Sequence, residues 1–123
     1  MSWIAQTLDE FGRSIGLAGL HPDAGGLVSL RIGSDRRLDL RVLEEEVLLL
    51  LARPVQVIDR LPILRRALDT CHVRHGWSLP VRAGLTRDGQ LAFIARLPAR
   101  EFSLPALEQA YDLLERLHER AGG

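Results

Sequence analysis

A chain of 123 residues, 46% apolar and 26% charged, has room for one compact core, is too short for two, and is too apolar to stay disordered over most of its length. All 16 basic residues are arginine, and they are balanced by 16 acidic ones whose signs alternate with them, as in Asp35-Arg36-Arg37 and Leu38-Asp39-Leu40-Arg41. That pattern lacks the clustered basic footprint of a nucleic-acid binder, and zero formal net charge offers little self-repulsion against association.

The first segment predicts a helix from Ser2 to about Gly16. Ser2 is placed to cap it, and Ile4, Leu8, Phe11 and Ile15 recur at helical spacing in one narrow stripe. Trp3 falls off that stripe. Asp9 and Glu10 interrupt the opening apolar stretch, so no secretory leader is expected there. Glycines and a proline between Gly16 and Gly26 predict a loop.

Three strands are expected next. Val28, Leu30 and Ile32 alternate with polar residues, and so do Leu38, Leu40 and Val42. Gly33-Ser34-Asp35 between them is turn material, which predicts a hairpin. The third strand, Val47 to Ala52, is apolar on both faces, so something must cover each side. It is also the longest uninterrupted apolar run, far short of a membrane span.

A second helix is expected from Asp59 to about His75, with Asp59 as N-cap, Pro62 in the first turn and Gly76 as the stop. At about 100° per residue, Leu61, Ile63, Leu64, Ala67, Leu68 and Cys71 spread over an arc of roughly 160°, wider than the roughly 100° that one core contact needs. The excess predicts a second contact, to another chain, the alternative being a helix buried between two layers of one domain. Leu79, Val81, Ala83 and Leu85 then alternate, Arg87-Asp88-Gly89 turns the chain, and Leu91, Phe93, Ala95 and Leu97 return as the second hairpin. A last helix starts near Ser103 with Leu107, Ala110, Tyr111, Leu114 and Leu117 on one stripe.

The order α-β-β-β-α-β-β-α lacks a βαβαβ rhythm. It predicts a single α+β domain over residues 1–123, with a twisted, largely antiparallel sheet backed by helices.

No catalytic, cofactor or metal site is expected. Cys71, His72 and His75 lie close in sequence, but a structural zinc site usually takes four ligands and no companion cysteine exists. Glu44-Glu45-Glu46 sits between two strands, where a solvated turn accounts for it. Ala24-Gly25-Gly26 matches neither a P-loop nor a dinucleotide fingerprint. The sole cysteine excludes an internal disulfide framework and suits a reducing compartment, so a cytoplasmic protein is expected.

Met1-Ser2-Trp3-Ile4, Leu51-Ala52-Arg53, Leu79-Pro80-Val81-Arg82-Ala83-Gly84, and the run from Gln90-Leu91 through Ser103-Leu104-Pro105 to Leu107, Ala110 and Leu117 resemble, in order and spacing, the SycN family of class I type III secretion chaperones. The resemblance implies a bacterial cytoplasmic binding protein with no enzymatic activity and no cofactor. It implies pairing with a second small chaperone of the YscB type. It also implies capture of the extended N-terminal segment of a YopN-like gatekeeper as cargo, with no nucleic acid or small-molecule substrate and at most peripheral association with the secretion apparatus at the membrane. On this reading Leu61, Leu64, Leu68 and Cys71 are the expected dimer interface, while Trp3, Val47, Leu49 and Leu51 are the expected cargo-binding residues. A packing role for Trp3 and a fully internal position for Leu49 are the alternatives. A homodimeric chaperone of a translocated effector, a sequestering regulatory module of the same fold, and a small enzyme using Cys71 and a nearby histidine are the competing functions.

Overall fold

The computed structural model describes residues 2–14, 23, 25–72 and 75–122, with the side chains of Ser2, Trp3 and Ala5 outside that description. Helix α1 (Ser2–Ser14) is followed by strands β1 (Leu27–Ile32), β2 (Arg36–Val42) and β3 (Glu46–Arg53). Then come α2 (Arg60–Thr70), β4 (Val81–Leu85), β5 (Leu91–Pro98) and α3 (Leu104–Gly122), in the predicted order. The five strands form one sheet in the order β1-β2-β3-β5-β4, every neighbouring pair antiparallel. This is an α+β fold with β1 and β4 at the edges.

Register assigns each side chain to a face. Leu40, Leu49, Ala95 and Val81 line up across the sheet, and so do Leu38, Leu51, Phe93 and Ala83. Because strand side chains alternate, these rows share one face. Val28 and Leu30 continue it on β1. Against that face lie α3, which touches β3 and β5, then α1 against α3, and α2 against α3 and β4. Ile4, Leu8 and Phe11 of α1 and Leu107, Ala110, Leu113, Leu114 and Leu117 of α3 are buried there, with Phe11 and Tyr111 edge to face at 6.1 Å.

Turn chemistry closes the hairpins. Gly33 has φ 67° and Gly89 has φ 80°, the left-handed region that glycine enters without cost. At the start of β1, Gly26 (φ 79°) brings its backbone so near Val42 that an added Cβ would stand 2.5 Å from the Val42 carbonyl oxygen. The Ser103 cap is present: its hydroxyl accepts from the Ala106 amide at 3.2 Å.

Two boundaries differ from the expectation. Helix α2 ends at Thr70 instead of running to His75. The Thr70 hydroxyl donates back to the Arg66 carbonyl, and the Trp77 indole donates to the Thr70 carbonyl, both at 2.7 Å. The indole thus takes an acceptor that a further helical turn would use. At the other end Asp59 occupies the N-cap position without a side-chain cap bond, because a 3-10 turn over Val57–Asp59 leads into the helix. Ile15 and the loop expected from Gly16 lie largely outside the described residues.

Candidate protein-binding surface

Ala67 is the most deeply buried apolar side chain of α2, and Ile63 and Leu64 pack part-buried against the core beside it. On the helix's other side Leu61 is 60% exposed and Leu68 54%, and the preceding turn adds Val57 at 73% and Ile58 at 84%. Six large apolar side chains are exposed among the described residues; four of them fall in this stretch, and a fifth, Leu85, is on β4, the edge strand that α2 contacts. The wide apolar arc therefore divides into a core-facing side and an open side. Fully burying one leucine or isoleucine is worth about 1.5–3 kcal/mol, so this cluster is a large unspent driving force for association.

The four residues expected at a pairing surface are not equivalent. Leu61 and Leu68 stand open, whereas Leu64 and Cys71 are half-buried against the chain's own core. Cys71 is the C-cap of α2, its amide donating to the Ala67 carbonyl at 3.1 Å. Burial pushes its thiol up to about 11, so it stays protonated at neutral pH and is a poor nucleophile. The Nε2 of His75 lies 3.0 Å from the Asp69 carbonyl oxygen, a local structural contact. Val57 and Ile58 were not in the sequence expectation, because they precede the helix and break its period. Their signal was a pair of adjacent apolar residues between polar Gln56 and Asp59, one turn before Leu61.

The cargo residues expected on the third strand require a correction. Val47, Leu49 and Leu51 are fully buried under the helices, so their side chains belong to the core and offer no groove. Leu48 and Leu50 carry the other face of β3, away from the helices of the described residues, and both are half-buried. Across the sheet Leu50 pairs with Ile94, which pairs with Arg82, and Leu48 lies between Arg41 and Arg96. The guanidinium of Arg96 is fixed by a two-pronged contact to the Glu46 carboxylate at 2.9 and 3.0 Å. The open face is thus a short apolar stripe rimmed by arginines. Trp3 lies in α1, and its side chain is outside the described part of the chain.

The C-terminal end of α3 is held from two sides. Arg53, at the end of β3, donates to the His118 carbonyl at 3.0 Å, and Arg66 of α2 donates to the Ala121 carbonyl at 2.7 Å. The Ala121 carbonyl falls in the last turn, where the helix has no amide left to offer, so a side-chain donor satisfies it. The His118 ring is buried, edge to face with Phe93 at 4.8 Å. Burial holds it well below its ordinary value, at about 4.

A family model described as type III secretory system chaperone SycN matches residues 3–121. The chain belongs to the SycN family of type III secretion chaperones. It is 29% identical over 119 residues to the SycN chaperone of Yersinia enterocolitica, covering 97% of this chain and 96% of that one. A SycN from Yersinia pseudotuberculosis matches to the same extent. Among solved structures, the ExsC–ExsE complex aligns over 96% of this chain and 90% of that one, with TM-score 0.75 and 26% identity. The Yersinia pestis chaperone SycH bound to a fragment of YscM2 shares the fold at TM-score 0.66 and 17% identity, over 95% of this chain and 98% of that one. SycN-family proteins are binding proteins and not enzymes, which accords with the burial of Cys71. No helix among the described residues is long and apolar enough to cross a membrane.

Proposed function

We propose that this SycN-family chain pairs, through the open side of α2, with a second small chaperone of the YscB type. The pair then holds the N-terminal segment of a YopN-like gatekeeper in extended, secretion-competent form in the cytoplasm. The observation that carries the pairing half is the exposed cluster of Val57, Ile58, Leu61 and Leu68 beside Leu85. An obligate partner interface resembles a core cut in half, and a cluster of this kind is costly to leave in water. Leu64 and Cys71 support it from beneath.

Cargo lies along the open side of β3, opposite the buried Val47, Leu49 and Leu51. An extended peptide gains affinity from main-chain pairing at a strand edge and specificity from apolar side-chain contacts. Strand β1 offers an edge, and Leu48, Leu50 and Ile94 offer apolar contacts. Trp3 adds a cargo contact from α1, tested by Trp3→Ala: weaker cargo capture at an unchanged melting temperature is the expected result.

The deciding experiment is co-expression with a YscB-like chaperone and the gatekeeper's N-terminal segment, with mass measured by light scattering. A stable 1:1:1 complex is expected. A homodimer that ignores both would favour the second reading, a chaperone of a translocated effector, which the structural likeness to the HopA1–SchA chaperone–effector complex supports (TM-score 0.69, 24% identity).

A further inference from the structure

Arg65 interrupts the open side of α2. It is exposed, and Leu61 and Leu68 lie about one helical turn to either side of it on the same face. Beside it, between α2 and the end of α3, a depression of about 360 Å³ is lined by Arg65, Arg66, Arg120, His75, Thr70 and Asp69. Three guanidinium groups thus face a single carboxylate, and among the described residues none of the three is in an ion pair. Two of them are already held in place. Arg66 is tied through its Nε to the Ala121 carbonyl, and Arg120 lies over the Trp77 ring with its guanidinium carbon 5.4 Å from the centroid.

A second copy of this chain fits that surface badly. A two-fold pair is isologous, so that residues near the axis meet their own counterparts. Packing Leu61 of one chain on Leu68 of the other, helices antiparallel, sets Arg65 opposite Arg65 or one residue away, and a parallel pair brings the same two residues together. Arginine meeting arginine in a partly desolvated contact opposes association, whereas a carboxylate in that place would favour it.

Resting on the pairing reading above, we infer that Arg65, with Arg66 and Arg120 beside it, is a specificity device that turns this face away from a second copy of the chain. The face selects instead a different chain whose own apolar helix carries aspartate or glutamate at its centre. The apolar cluster supplies the drive to associate, and the arginines decide with what.

The probe is the chain itself with its central charge reversed. Wild type and Arg65→Glu, differently labelled, are compared in three pairings by sedimentation and fluorescence transfer at low and high salt. The mixed pair is expected to associate about tenfold or more tightly than either chain with itself, with the margin shrinking as salt screens it. Arg65→Ala, which removes the repulsion and adds no attraction, is expected to raise self-association above wild type. Equal behaviour in the three pairings, including no association in any, overturns the inference, as does wild-type self-association as tight as the mixed pair. The same mixture carrying Leu68→Asp separates the two readings. Loss of the mixed dimer keeps the contact on α2, whereas a mixed dimer that survives places it elsewhere and takes the α2 pairing reading down with it.

Discussion

Leu51 and His118 are joined across the boundary between sheet and helix: the imidazole Nε2 lies 2.7 Å from the Leu51 carbonyl oxygen. Since a carbonyl only accepts, Nε2 carries the proton, and Nδ1 has no hydrogen-bond partner among the described residues. The ring is therefore held neutral in one tautomer, and burial outweighs the Leu51 contact in keeping its value near 4.

Acid should loosen this joint. The unfolded chain takes up a proton here as pH falls through about 6.5, whereas the folded chain resists until about 4. The neutral ring's contribution is thus fully present above about pH 6.5 and is lost as pH falls towards 4. It amounts to a loss of about 2 kcal/mol between pH 7 and pH 5. Urea midpoints at the two pH values check it. His118→Phe starts less stable at pH 7 and should lose clearly less on acidification; an equal loss in both proteins would place the pH dependence elsewhere.

The open side of α2 predicts a split between two leucines four residues apart. Leu68→Asp removes an exposed side chain and should change the melting temperature little while abolishing pairing with the second chaperone. Leu64→Asp puts a charge against the core and should destabilise the chain by several kcal/mol. Thermal melts and light scattering on the two variants distinguish them, and unchanged assembly with Leu68→Asp would remove α2 from the interface.

The faces of β3 predict a second split. Leu49→Ala should cost about 2–5 kcal/mol, since it opens a cavity in a fully buried layer. Leu50→Asp, on the open face, should leave the fold largely intact and weaken capture of an extended peptide cargo. Peptide binding measured by calorimetry on each variant reads the difference directly.

Trp77 fastens the end of α2 to the end of α3, donating to Thr70 and lying beneath Arg120. Trp77→Phe keeps an aromatic ring but loses the donor, leaving the Thr70 carbonyl short of its partner. A loss of about 1–2 kcal/mol is expected in chemical denaturation, together with faster amide exchange in the last turn of α2.

Alternation in Leu38-Asp39-Leu40 and in Leu91 to Leu97 made the antiparallel hairpins legible in the sequence, because a two-residue period has one physical cause. The helical stripe of Leu107, Ala110, Leu114 and Leu117 was legible for the same kind of reason. Strand β3 shows where this stops. A run of leucines fits two covered faces as well as one, and only pairing with β2 and β5 assigns Leu49 inward and Leu50 outward. The end of α2 was hidden because Trp77, seven residues on, supplies the stop through a side-chain bond that no local propensity encodes. The exposed side of α2 was half legible: the excess width of the arc pointed to more apolar surface than one core contact uses, but which leucines stand on which side depends on where α3 and β4 lie.

The pairing of Arg66 with Ala121, set beside that of Arg53 with His118, bears on how quickly a partner can be recognised. A helix riveted to its neighbour from behind has already spent the entropy of being held in place, so a partner meets a finished template and need not assemble one. Encounter with the open side of α2 should then proceed as rigid docking, in a single concentration-dependent phase with no slow rearrangement after it. Arg66→Ala, by freeing the helix end, should bring such a slow step into view.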